Sequence, residues 1–89
     1  MSQTIERTTL TQLVTNEQYA RKVLPFMKKD YFTDRTERTI FEEITKFVNK
    51  YNKIPTQTSL EIEVQGRKDL NESDYKKVVA VIQTLSSTD

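Results

Sequence analysis

The chain has 89 residues, 35% of them hydrophobic and 30% charged, with a mean hydropathy of −0.70, which suits one domain around a single modest core. Fourteen basic and 13 acidic side chains leave a formal net charge of +1, so global charge draws the chain to neither nucleic acid nor anionic lipid. The absence of Cys and His excludes disulfide frameworks, thiolate metal sites, the usual zinc sites and most nucleophile–base pairs, and no stretch approaches the roughly 20 apolar residues of a membrane span.

Glycine occurs once, at Gly66, and proline twice, at Pro25 and Pro55. An all-β chain needs many more turn residues, so the composition predicts an all-α fold of four to five short helices. Met1 to Thr8 contains no apolar run and reads as neither a signal peptide nor a lipidation motif. Ile5 to Val14 then forms a first helix, with Ile5, Thr9 and Leu13 on one face and Leu10 and Val14 beside them. Asn16 caps a second helix carrying Tyr19, Ala20, Val23 and Leu24, and Pro25 ends or kinks it. Phe26 and Met27 fall in a turn that leads to Tyr31 and Phe32.

The strongest periodicity spans Asp34 to Tyr51. Ile40, Ile44, Phe47, Val48 and Tyr51 share a face with Phe41 beside it, whereas Glu42, Glu43, Lys46, Asn49 and Lys50 take the other. Asp34 or Thr33 caps the start, Glu37 completes a capping box with Asp34, and Glu42 and Lys46 pair at i,i+4. The helix ends before Ile54, because Pro55 disfavours helical geometry there. Ser59 to Val64 alternates like a strand, yet the chain offers it no second strand. With Thr56 as cap and Gly66 as terminator, it is read as a short helix. Asn71 caps the last helix, whose stripe is Tyr75, Val78, Val79, Ile82 and Leu85. The centre of the core is expected at Ile40, Phe41, Ile44, Phe47, Val48, Val78, Val79 and Ile82.

Catalytic and ligand signals are sparse. A single glycine cannot build a loop that cradles phosphate, so no nucleotide site is expected. The carboxylate pairs Glu42/Glu43 and Glu61/Glu63 read best as solvated surface, since neighbouring carboxylates on a helix point apart. Phe41, Phe47, Tyr51 and Tyr75 lie on apolar faces and read as core rather than as platforms for bases. Arg35 and Arg38, at a helix start, read as solvated rather than phosphate-binding. The sequence therefore nominates no catalytic, cofactor, metal or nucleic-acid residue and leaves the protein interface unassigned.

Order and spacing carry a resemblance. Asp30-Tyr31-Phe32 stands before Ile40-Phe41, with eight positions from Phe32 to Ile40. An amphipathic helix follows, then a Lys53-Ile54-Pro55-Thr56 stop and a short helix containing Leu60. This resembles the N-terminal domain of hexameric DnaB-type replicative helicases. Asn16-Glu17-Gln18-Tyr19 and Lys22-Val23-Leu24-Pro25-Phe26-Met27 resemble the form found in T-even-like phages. The likeness spans roughly residues 8 to 86; at Thr56 this chain departs from the Asp usual in cellular relatives, though either residue caps a helix.

The resemblance implies a collar and docking domain over residues 1–89, with a helical hairpin, a linker and a RecA-like motor domain absent from this chain. It implies contacts with primase, a helicase-loading protein and other helicase subunits in phage DNA replication, in the host cytoplasm. ATP and Mg are expected only in the missing motor, so this chain is expected to be non-enzymatic and without cofactors. With few phosphates to neutralise, DNA binding is expected to be weak or absent, and no membrane is involved. The competing readings are a stand-alone helical nucleic-acid-binding protein, which the near-zero charge disfavours, and a regulator of a host protein.

Overall fold

A computed structural model describes residues 5–85. Its helices are α1 (Ile5–Thr15), α2 (Glu17–Val23), α3 (Arg35–Tyr51), α4 (Gln57–Gln65) and α5 (Glu72–Ile82). Two 3₁₀ turns, Leu24–Phe26 and Lys29–Tyr31, connect α2 to α3. No strand occurs among the described residues, and the fold is all-α, as the composition predicted.

Side-chain caps start four of the helices by satisfying backbone N–H groups that lack a helical partner. Asn16 accepts from the Tyr19 N–H at 3.1 Å, Asp34 from Glu37 at 3.0 Å, Thr56 from Ser59 at 3.0 Å and Asn71 from Asp74 at 2.7 Å. The capping box expected at Asp34 is only half formed, because the Glu37 carboxylate turns instead to Arg7 of α1. The ends carry two further differences. The α3 helix stops ahead of Pro55, but the residue that turns the chain is Asn52, at φ 61°, whose N–H returns to the Val48 carbonyl. Asparagine is among the few residues that tolerate this left-handed conformation. Gly66, expected to end α4 through its freedom, sits at φ −80°, where any residue is at ease.

The alternating segment is helical. Leu60 and Val64, one turn apart, are both buried, and Ile62 lies on the far side in solvent. Helix α3 is the axis of the molecule, with α1, α4 and α5 packed along it and α2 against α1. The core joins Leu10, Leu13, Ala20, Phe32, Ile40, Phe41, Ile44, Leu60, Val64, Val78, Ile82 and Leu85. Phe32 is fully buried and its ring lies 5.1 Å from that of Phe41.

Five of the eight residues expected at the centre are buried there, and three are not. Phe47, Val48 and Val79 are only partly covered. The reason is length. Helix α3 has 17 residues, roughly 25 Å at the standard rise, whereas α1 and α5 have 11 and α4 nine. Every buried residue of α3 falls between Glu37 and Ile44, whereas its last two turns are only partly covered, by the end of α2 on one side and α4 on the other. Phe47 and Tyr51 there stack on each other, centroids 4.5 Å apart, instead of entering the core. On α5 the core-facing line is Val78 and Ile82, which turns Val79 aside. At the other end of the molecule Ile5, expected on the inner face of α1, is 76% exposed.

Candidate functional site

Apart from Ile5, the large apolar side chains left in solvent collect at two places, and each follows from the local chain. The first is the connection from α2 to α3. Pro25 lacks an N–H and its φ is fixed, so α2 tightens into a 3₁₀ turn closed by the Met27 N–H on the Leu24 carbonyl at 3.2 Å. That turn points the Phe26 ring outward, 83% exposed. The second turn, closed by the Tyr31 N–H on the Lys28 carbonyl at 3.0 Å, buries Phe32 and leaves Tyr31 half in solvent. The two rings meet edge to face at 5.1 Å. Between these turns, α1 and α2 lies a groove of about 570 Å³ lined by Thr9, Tyr19, Val23, Phe26, Met27, Lys28, Asp30 and Tyr31.

The second place is the C-terminal end of α3. Phe47 and Tyr51, with Lys53, Ser59, Ile62 and Glu63 of the next loop and α4, line a depression of about 370 Å³. Ile62 is 60% and Tyr51 45% exposed, and the Lys50 ammonium sits over the Tyr51 ring at 5.2 Å. Tyr51, read from the sequence as core, is therefore surface.

The polar groups are arranged differently, in ion pairs that tie helices together. Glu43 falls on the polar face of α3 by helical phase, yet it is 1% exposed. Arg67, just after α4, donates to Glu43 at 2.8 Å, to Asp69 at 2.7 and 2.9 Å, and reaches Glu42 at 3.4 Å. The two neighbouring carboxylates that were expected to diverge thus converge on one guanidinium. Lys46, expected to pair with Glu42, lies instead 3.6 Å from Glu43. The Arg67 hydrogen bond holds the exposed Asp69 carboxyl down at about 2, against an ordinary 3.8. The same Asp69 bond, with Glu43 behind it, raises the Arg67 guanidinium further above its already high value, against the effect of burial. An open cleft of about 720 Å³ runs past this cluster, lined by Phe41, Glu42, Thr45, Lys46, Arg67, Lys68 and Asp69.

A second buried acid, Glu37, is 5% exposed and takes a 3.0 Å bond from the Arg7 Nε, fixing α1 to α3. Arg38, considered for phosphate, spends its guanidinium on the Phe32 carbonyl at 3.1 and 3.2 Å. Arg35 lies 3.7 Å from Asp74. Among the described residues no three acids gather where a metal ion would fit, and no helix is long and apolar enough to cross a membrane. Glu61 and Glu63 stay on α4 with no ion pair to a described residue.

What this arrangement offers chemically is contact. Acids are neutralised inside the fold, and aromatic rings are held outward on short, hydrogen-bonded turns. Comparison with known proteins gives the family. The whole chain, residues 1–89, matches the DnaB-like helicase N-terminal domain. The chain belongs to that family. It is also 27% identical over 79 residues to the DnaB-like replicative helicase of Enterobacteria phage T4. That match covers 89% of this chain and 16% of the phage protein, so the chain spans a small part of that relative's length. The exposed residues of this family member escaped the sequence reading for a definite reason. Phe26 and Tyr31 lie outside any helical stripe, and Ile62 is hidden in an alternation that mimics a strand. Its one legible trace is that Ile62 falls out of phase with Leu60 and Val64 once the segment is drawn as a helix.

Proposed function

We propose that this chain is a non-catalytic assembly and docking domain of a hexameric replicative DNA helicase in phage replication. It works through contacts with primase, a helicase-loading protein or neighbouring subunits. Membership of the DnaB-like helicase N-terminal domain family over the full 89 residues is the observation that carries this reading. The exposed rings of Phe26, Tyr31, Tyr51 and Ile62's side chain support it, because protein interfaces concentrate aromatic and large apolar groups at their centres. ATP binding, hydrolysis and strand separation belong, in this reading, to a motor domain outside these residues, and the domain itself takes no nucleotide or metal.

The experiment is titration calorimetry of the 89-residue chain against the primase, the helicase loader and the motor domain of the same replication system, with ATP–Mg and single-stranded DNA as controls. Saturable binding to one of the proteins, with no heat from ATP–Mg, is the expected result. Micromolar ATP binding, or DNA binding tighter than about 10⁻⁶ M at physiological salt, would overturn the proposal in favour of a nucleic-acid or nucleotide function.

A further inference from the structure

The groove beside the two 3₁₀ turns is lined mainly by apolar and aromatic side chains, with Lys28 and Asp30 as its charged lining residues. Tyr19 and Val23 form its inner wall, and Phe26 and Tyr31 stand out from its edge, 83% and 46% exposed. The described residues contain no strand, so an extended peptide finds no sheet edge to join. A helix needs none, since it enters such a groove through apolar side chains one turn apart.

Charge narrows the choice of helix. Lys28 lines the groove, and the exposed Lys22, outside the lining, follows Tyr19 by three residues on α2. Neither lysine makes an ion pair with a described residue, although Arg21, beside Lys22, is held by Glu17 at 2.7 Å. From Arg21 to Lys29 the chain carries four basic side chains and no acid. Asp30, at the far end of the groove, is the acid that lines it.

We propose that this groove receives an acidic amphipathic helix from a partner protein. Two or three large apolar side chains seat between Phe26 and Tyr31, and flanking Glu or Asp residues meet Lys22 and Lys28. The inference rests on the docking reading above and adds to it a surface and the chemistry of the occupant. Nucleic acid fits the same residues less well, because two lysines neutralise few phosphates and the groove is mostly apolar.

The test uses the full chain and two labelled helical peptides with the same leucine and phenylalanine face, one flanked by glutamates and the other by lysines. Fluorescence anisotropy should show the acidic peptide binding at least about tenfold more tightly, with an advantage that shrinks as salt rises. Phe26→Ala and Tyr31→Ala should each weaken it about tenfold, with unchanged circular dichroism because both rings lie at the surface. Lys22→Glu with Lys28→Glu should reverse the preference between the peptides. Equal binding of both peptides, or no effect of the charge reversal, would overturn the proposal. So would a single-stranded oligonucleotide that displaces the acidic peptide, or a dimer of the unliganded chain that Phe26→Ala dissolves. If primase or loader binds Phe26→Ala and the parent chain equally, the docking function stands and this groove is not its site. If the peptide results hold while no replication protein binds, the groove stands and the helicase role falls.

Discussion

Removing Arg67 should destabilise this domain more than any other single change to a charged side chain. In Arg67→Met the methionine keeps the aliphatic stem but leaves Glu43, 1% exposed, without its 2.8 Å partner. Breaking a buried pair from one side ordinarily costs about 3–5 kcal/mol, because an uncompensated charge stays in the interior. Two features lower that here. Lys46 remains 3.6 Å from the same carboxylate oxygen, and the Arg67 side chain itself is 16% exposed, so water reaches the cluster. A loss of about 2–4 kcal/mol is therefore expected. A small domain shifts its Tm by about 4–8 °C per kcal/mol, so the melting point should fall by roughly 10–30 °C. Thermal and urea unfolding by circular dichroism would measure it. Glu43→Gln in the Arg67→Met background should recover part of the loss, since a neutral amide does not need the cation, with a coupling of about 1–3 kcal/mol in the double-mutant cycle. A cost below about 0.5 kcal/mol for Arg67→Met, the level of an ordinary surface substitution, would show that the buried acid is not held by this arginine. Strict additivity with Glu43→Gln would show the same.

The Asp69 carboxyl should titrate at about 2 in the parent chain and near the ordinary 3.8 in Arg67→Met, read from carboxyl carbon shifts in a pH series. Since the folded value is the depressed one, the bond's stabilisation is full above about pH 3.8 and is lost as pH falls through about 2; Arg67→Met should remove that acid-side dependence. Phe32→Ala should cost about 3–5 kcal/mol and Phe26→Ala less than about 0.5, with Phe47→Ala between them, as chemical denaturation would rank them. An order led by Phe47 would restore the sequence-based core. Gly66→Ala should stabilise by about 0.4–1 kcal/mol, because its φ of −80° suits alanine and the added Cβ meets only the Glu63 carbonyl oxygen at 3.5 Å. Asn52→Ala, at φ 61°, should instead cost about 1 kcal/mol, and a stabilising Asn52→Ala would contradict the left-handed cap.

Local chemistry was legible in the sequence, and tertiary context was not. Asn16, Thr56, Asn71 and Asp34 cap helices because a short polar side chain reaches the third backbone N–H along, a relation confined to neighbouring residues. Resolving Ser59–Val64 as a helix needed only the absence of a partner strand. Phe47 and Glu43 failed for the opposite reason. Their helical phase places one on an apolar face and the other on a polar face, but exposure depends on how the other elements pack along α3. Nothing within α3 encodes that. The same gap hid the partner of Glu43, because Arg67 is 24 residues away and comes alongside only after α4 has packed. For the candidate surfaces, periodicity was a poor guide, since Phe26 and Tyr31 sit in 3₁₀ turns where the period of the α-helix does not apply.

The division of labour between the buried ion pairs and the exposed turns bears on how a small domain can dock a partner without losing its fold. A chain of this size has only a few kcal/mol of net stability, and large apolar groups left outside the core contribute little to it. Here the acids that lock α3 to α1 and to the segment after α4 are Glu37 and Glu43, each with an arginine from another element. Phe26 and Tyr31 belong to neither network. They are carried by turns whose backbone hydrogen bonds close locally, so the backbone that presents them is set before any partner arrives and its ordering costs little on binding. Substitution of Phe26 can therefore alter docking while the Arg7–Glu37 and Arg67–Glu43 pairs keep the helices together. Loss of Arg67 should do the converse, lowering the melting point while leaving the affinity of the still-folded fraction unchanged, because the cluster lies outside the lining of the groove.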